Sequence, residues 1–172
     1  MNALILAAGR GTRLGIGGDV PKCLTPVAGK PLLDRYLDVL EALAVPVTIV
    51  VGHGASHIRA HVSQRNSPPV LIHNSRYEEG SIVSLAAGLE SISGDLLLLD
   101  GDVAFAPALL EQLLHSSASN ALLVDVGTEF ADEQYMAGIN DGRVMSLRRG
   151  PVPGHQLHGE WVGFAKLNAI GV

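Results

Sequence analysis

The chain has 172 residues, 47% hydrophobic and 17% charged, with 12 Lys and Arg against 17 Asp and Glu for a net charge of −5. This is one domain's worth of sequence with a well-buried core; the scattered basic residues exclude a nucleic-acid-binding face, and no apolar run reaches membrane-spanning length. A single cysteine excludes an internal disulfide, and with no signal-peptide pattern at the N-terminus the expected location is the cytoplasm.

Residues 3–7 form an apolar run that reads as a buried strand. It opens into a loop holding Gly9, Gly11, Thr12 and Arg13, closed by Pro21 and Lys22. Glycines let backbone N–H groups approach phosphate oxygens without a Cβ in the way, Arg13 offers a planar fork and Lys22 a mobile point charge, so the loop suits a polyphosphate. It is not a dinucleotide fingerprint, because Leu14 stands where the third glycine belongs, and it lacks the Gly-Lys-Ser/Thr end of a P-loop. Cys23 reads as a small buried filler, with a reactive thiol beside Lys22 as the alternative.

The stretch PLLDRYLDVLEALAV sets Leu32, Leu33, Tyr36, Leu37, Leu40 and Leu43 at helical spacing, with Pro31 suited to the first turn. Pro46 breaks it, and Val47–Val51 reads as a second buried strand, completing a βαβ unit. His57 and His61 follow at i and i+4; with no neighbouring Glu and no third ligand, they read as a solvated helix face rather than a zinc site. His155 and His158 read the same way.

A short strand, VLIHN, ends at Asn74, and a helix begins near Ser81, which suits an N-cap. A helix start with Gly80, Ser81 and Ser84 also offers hydrogen bonds to a planar polar ligand such as a base edge. Residues 95–105 then give an apolar strand ending in Asp100, Gly101 and Asp102, where open α/β sheets place ligands. Asp102 is the preferred magnesium ligand, while Asp100 either ligates or orients the turn. Pro107–His115 is a helix and residues 121–126 a strand. The stretch DEQYMAGINDGRVMSLRRG is a hairpin turning at Asn140, Asp141 and Gly142, with Arg148 and Arg149 at its far end as a solvated tip or a functional pair. Residues 158–167 alternate as a last strand.

The ordered set Gly9, Gly11, Thr12, Arg13, Pro21 and Lys22 resembles the nucleotidyltransferase signature G-x-G-T-R-x(n)-P-K. Asn74, Tyr77, Ser84 and Leu85 resemble the base-reading segment of that family, and HGEWVG resembles the G-E-W/Y-x-G stretch of the branch that charges phosphocholine, aminoethylphosphonate or inositol phosphate. The resemblance implies an α/β fold, Rossmann-like, with three layers (α/β/α) around a mostly parallel mixed sheet. It further implies that Ala7, Ala8, Gly9, Gly11, Thr12, Gly80, Ser81, Ser84 and Asp100 line the nucleotide. Arg13 and Lys22 would be the catalytic cations, gripping the outer phosphates and the α-phosphate, with Mg²⁺ on Asp102. Tyr77, Arg149, Glu160 and Trp161 would meet the acceptor, although Trp161 equally suits a core position and Arg149 stands where cytidine-using relatives tend to have Lys.

The implied activity is transfer of a nucleoside monophosphate, with CMP from CTP favoured, to a small phosphate or phosphonate such as phosphocholine or 2-aminoethylphosphonate. The alternatives are a sugar-1-phosphate nucleotidylyltransferase using UTP or dTTP, or a nucleotide-binding module of little activity. Molybdopterin cytidylyl transfer shares the AAG opening, but such relatives usually lack the run at residues 26–31. Relatives also continue for some tens of residues past GEWVG, so the single domain at 1–172 is expected to lack the family's C-terminal helix and strand. The edge so left would expose apolar surface and favour a homodimer.

Overall fold

The computed structural model describes residues 1–11, 20–128 and 134–169. Three apolar segments build its centre: β1 (Asn2–Ala7), β4 (Val47–Val51) and β6 (Leu96–Asp100). Their side chains alternate between two cores. Ala3, Ile5, Ile49, Val51, Leu97 and Leu99 face one side, and Leu4, Val50, Leu96 and Leu98 the other. Burial on both faces explains why these strands read as continuous apolar runs.

The main sheet has eight strands. Its parallel half runs β5 (Val70–His73), β4, β1, β6. The long β10 (Leu157–Leu167) is antiparallel to β6, and beyond it lie β8 (Tyr135–Asn140) and β9 (Arg143–Arg149), while β7 (Ala121–Asp125) also pairs with β10. Helices α1 (Leu32–Ala42), α2 (Ala55–Val62) and α4 (Pro107–His115) pack against the first core, and α3 (Ser81–Leu89) against the second. The result is the three-layer, mostly parallel mixed sheet that the resemblance implied.

Two local features position the site. A small hairpin, β2 (Pro26–Val27) with β3 (Lys30–Pro31), turns through Ala28 and Gly29, both at positive φ, and delivers the chain into α1. The second is in β10. Glu160 pairs with Met136 of β8 and Phe164 with Leu99 of β6, so two strands share one edge of β10 and leave Trp161, Val162 and Gly163 between them. The pairing with β7 shifts register over the same stretch, and Gly163 takes φ +83. Such an irregularity re-aims side chains and opens a sheet locally.

Several local expectations need correction. Gly80, at φ 115, is the N-cap of α3; Ser81 is the first helical residue and makes no capping bond. His61 is not on a solvated face, because its Nε2 lies 2.9 Å from Asp34 Oδ1, beside Arg65. His155 is folded against Gly138, with Nε2 3.1 Å from the Ser146 hydroxyl. Both partners lie on other elements, so helical spacing could not reveal them. Among the described residues no group of three or more His, Cys, Asp or Glu side chains could hold a metal by itself, and no helix is long and apolar enough to cross a membrane.

Candidate active site

Strand order reverses at β1, since β4 and β5 lie to one side of it and β6 to the other. The crevice at the carboxyl ends of strands at such a point is where open α/β sheets bind ligands. A cavity of about 1100 Å³ opens there. One part of its wall is Ala7, Ala8, Gly9, Arg10 and Gly11 with Gly80, Ser81 and Ser84. Asp100, Gly101 and Asp102 line it, and the remaining wall includes Tyr77, Tyr135, Arg149, Glu160 and Trp161. The structure thus gathers into one cavity every site residue expected from sequence except Thr12 and Arg13, which lie outside the described residues.

The two halves of the opening motif meet directly. Gly11 has φ +66, and a Cβ there would fall 2.5 Å from Lys22 Cγ and Cε. Only a glycine gives the Lys22 stem this bed. Its Nζ then reaches 3.3 Å from Asp102 Oδ2, with the lysine side chain about 25% and the aspartate about 50% exposed. Cys23 beside it is buried, which pushes its thiol pKa up to about 12. The buried-filler reading therefore holds, and a thiolate nucleophile does not form near neutrality.

Asp100 and Asp102 differ in environment although one residue separates them. The Asp100 carboxyl is folded against Gly163, where a Cβ would sit 2.5 Å from Oδ2. Burial first, and the charge of Asp102 second, raise its pKa to about 6. The turn they share is fastened on both sides. Gly101 N–H donates to Leu6 O at 2.9 Å, and the buried Tyr36 hydroxyl, its pKa raised by burial, meets backbone groups of Asp100 and Val103.

The segment leading into α3 uses its polar groups internally. Asn74 is buried; its Oδ1 accepts from Arg76 N–H at 2.9 Å and its Nδ2 donates to Ser84 Oγ at 3.0 Å. These two side chains spend hydrogen bonds on the chain itself, and Gly80, Ser81 and Ser84 are the residues of this segment's helix start that line the cavity. Tyr77 stacks on Gly52, where a Cβ would clash with its ring at 2.7 Å. Glu78 pairs with Arg10 at 3.2 Å and links this turn to the glycine loop.

At the far wall Gln134 Nε2 donates to Glu160 Oε2 at 2.8 Å. The Trp161 indole N–H donates to Phe164 O, and its ring meets Tyr135 edge-on at 6.4 Å. The Arg149 guanidinium lies over the Tyr135 ring, 5.1 Å from its centroid. Arg149 is exposed at the end of β9 and lies against an aromatic face at the cavity. Sequence reasoning passed over Tyr36, Gly163 and Gln134. A lone tyrosine in a leucine stripe was the available signal, since a buried hydroxyl needs a partner.

The chain matches the family described as MobA-like NTP transferase domain over residues 3–147. It is 33% identical over 126 residues to the bifunctional protein GlmU of Methanococcus vannielii, covering 73% of this chain and 30% of that protein. It is 35% identical over 134 residues to the CMP-5'-(3-aminopropyl)phosphonate synthase of Streptomyces rubellomurinus, covering 71% of this chain and 20% of that one. The chain thus spans about a third or less of the length of these relatives. Among solved structures, the CTP:phosphocholine cytidylyltransferase LicC of Streptococcus pneumoniae superposes with a TM-score of 0.73 at 20% identity, over 98% of this chain and 71% of that one. With Gly9, Gly11 and Lys22, the strand-end aspartates and the sheet order gathered at one cavity, and with the family model matched over residues 3–147, this chain belongs to the MobA-like NTP transferase domain family.

Proposed function

We propose that this chain transfers a nucleoside monophosphate from a nucleoside triphosphate to the phosphate or phosphonate oxygen of a small acceptor, with CTP as the donor. The observation that carries the reading is Lys22 Nζ lying 3.3 Å from Asp102 Oδ2 in one cavity, the lysine following β1 in the chain and the aspartate following β6. A cation and a carboxylate brought together from 80 residues apart, at the reversal of strand order, are what a polyphosphate and its counter-ion need. The CMP-phosphonate synthase relative supports the cytidine choice and the phosphonate class.

In the reaction an acceptor oxygen attacks the α-phosphorus, a new P–O bond forms, the bond to the bridging oxygen breaks, and pyrophosphate leaves with the electron pair. The attacking group is already anionic near neutrality, because the second pKa of a phosphate monoester is about 6. No general base is needed. The chain's task is to hold two anions in line against their repulsion and to neutralise charge on the leaving group. Lys22 would meet the α-phosphate and Arg13, by its place in the sequence pattern, the outer phosphates. Backbone N–H groups of the glycine loop would cradle the same oxygens.

The donor set fits Mg²⁺. Asp102 offers a half-exposed carboxylate, and Asp100 is a buried carboxyl whose ionisation a nearby cation would favour. With two protein carboxylates, most of the shell would come from nucleotide and water. When bound, the ion supplies charge neutralisation at the phosphates. On the acceptor side, Arg149 offers a fork for a phosphate or phosphonate, and Glu160, held by Gln134, a counter-charge for an amine.

The test is calorimetric titration with CTP, UTP, dTTP and ATP, each with Mg²⁺, followed by pyrophosphate release with phosphocholine and 2-aminoethylphosphonate. Selective CTP binding, weakened by Lys22→Ala and by Arg13→Ala, with release on adding an acceptor, is the expected result. Selective UTP or dTTP binding with release on a sugar 1-phosphate would replace it by the sugar-nucleotide reading. Binding without release for any acceptor would leave a nucleotide-binding module.

A further inference from the structure

Tyr36 lies on the buried face of α1 and is fully buried. Its ring meets Phe105 edge-on at 4.7 Å and Phe164 at 5.9 Å. Its Oη lies 2.6 Å from Asp100 O and 2.7 Å from Val103 O, and it accepts from Val103 N–H at 3.2 Å. A phenol has one proton and two lone pairs. The proton is therefore shared between two carbonyls while the oxygen serves the amide, and three backbone groups of residues 100–103 depend on one hydroxyl. The opposite side of this turn has the bond from Gly101 N–H to Leu6 O. Asp102 sits between these fastenings with its side chain half exposed to the cavity.

We propose that Tyr36 is a positioning residue of the site, its hydroxyl tying both ends of the 100–103 turn to α1 and thereby fixing where Asp102 presents its carboxylate. What the carboxylate receives rests on the nucleotidyltransferase reading; the fastening itself does not. Removing the hydroxyl takes this partner from three part-buried backbone groups, a loss that the turn relieves by moving toward water. Movement of the turn carries Asp102 away from Lys22.

The experiment compares Tyr36→Phe, which keeps both ring contacts and loses the hydroxyl, with Phe105→Leu, which loses a ring contact and keeps the hydroxyl. Amide hydrogen exchange at Val103, referenced to Leu97 and Leu98, and the Mg²⁺ dependence of CTP binding by calorimetry are measured well below both Tm values. In Tyr36→Phe, Val103 is expected to exchange at least about tenfold faster than in the parent, since its local opening becomes cheaper. Mg²⁺-dependent CTP binding should weaken about tenfold, with metal-free binding unchanged. Phe105→Leu should lower Tm without either change. Unchanged Val103 exchange and metal dependence in Tyr36→Phe, or equal changes in Phe105→Leu, would reduce Tyr36 to core packing and overturn the proposal. If the parent chain binds no nucleotide, the nucleotidyltransferase reading fails, and exchange at Val103 alone decides the role of Tyr36.

Discussion

The Asp100 carboxyl rests on the bare Cα of Gly163, so the strand-end acid of β6 and the irregularity of β10 are two sides of one contact. Gly163→Ala would introduce a Cβ 2.5 Å from Asp100 Oδ2 at a backbone φ of +83. Steric overlap and left-handed strain together should cost roughly 2–4 kcal/mol. At about 2–4 °C per kcal/mol for a chain of this size, a fall in Tm of roughly 5–15 °C is expected by calorimetry. Nucleotidyl transfer should fall at least about tenfold, because Asp100 must leave its seat.

Burial of the same carboxyl sets a pH dependence. The folded chain holds this proton up to about pH 6, whereas the unfolded chain releases it near its ordinary value of 3.8. The folded state thus binds more protons between these limits, and stability from this group is full below pH 4 and declines as pH rises to about 6. Asp100→Asn removes the penalty. By urea unfolding it should match the parent near pH 4 and exceed it by roughly 2–3 kcal/mol above pH 7. Equal stability of the two chains at pH 8 would contradict the burial seen here.

Gly11→Ala separates positioning of Lys22 from its charge. The clash is with a flexible stem, so the space can be made, but φ +66 strains any residue with a Cβ. Tm should fall by only a few degrees, roughly the effect of 1 kcal/mol. CTP affinity should drop about tenfold or more with Lys22 still present, a loss measurable by calorimetry. The Lys22–Asp102 pair is partly exposed and adds little stability itself.

The two walls of the cavity predict a kinetic split. Arg149→Ala removes the guanidinium from the Tyr135 face, and Glu160→Gln removes the charge held by Gln134. Each should raise the acceptor KM about tenfold or more and leave CTP binding within about twofold of the parent. A change confined to CTP binding would move these residues to the nucleotide side.

Much of this architecture was legible before any coordinates. The central strands announced themselves because both faces are buried, so Leu96, Leu97, Leu98 and Leu99 follow one another without a polar break. Pro31 and Pro46 bounded α1 closely, and Asp141 and Gly142, both at positive φ, marked the β8–β9 turn. The misses have two sources. Ser81 lost its capping place to Gly80, Asn74 and Ser84 spend their polar groups on the chain, and His61 and His155 found partners on other elements. The pairings of Asn74 with Ser84, His61 with Asp34 and His155 with Ser146 join different elements, about which local propensity carries no information, whereas the Gly80 cap was a choice between adjacent residues. The cavity residues were found through motif order; the contacts that hold them, Gly163 on Asp100 and Gly11 under Lys22, needed the fold.

Strand β10 passes from Glu160, at the far wall of the cavity, to Gly163, under Asp100, within three residues. A chain spans at most about 3.3–3.6 Å per residue, so these landmarks cannot lie more than roughly 10 Å apart along it. The strand works as a ruler. It ties the distance between the far wall and the Asp100 seat to the covalent backbone, independently of any loop. An insertion or deletion between Glu160 and Gly163 would therefore rescale the length of molecule the cavity can bridge, while substitutions alter only what it grips.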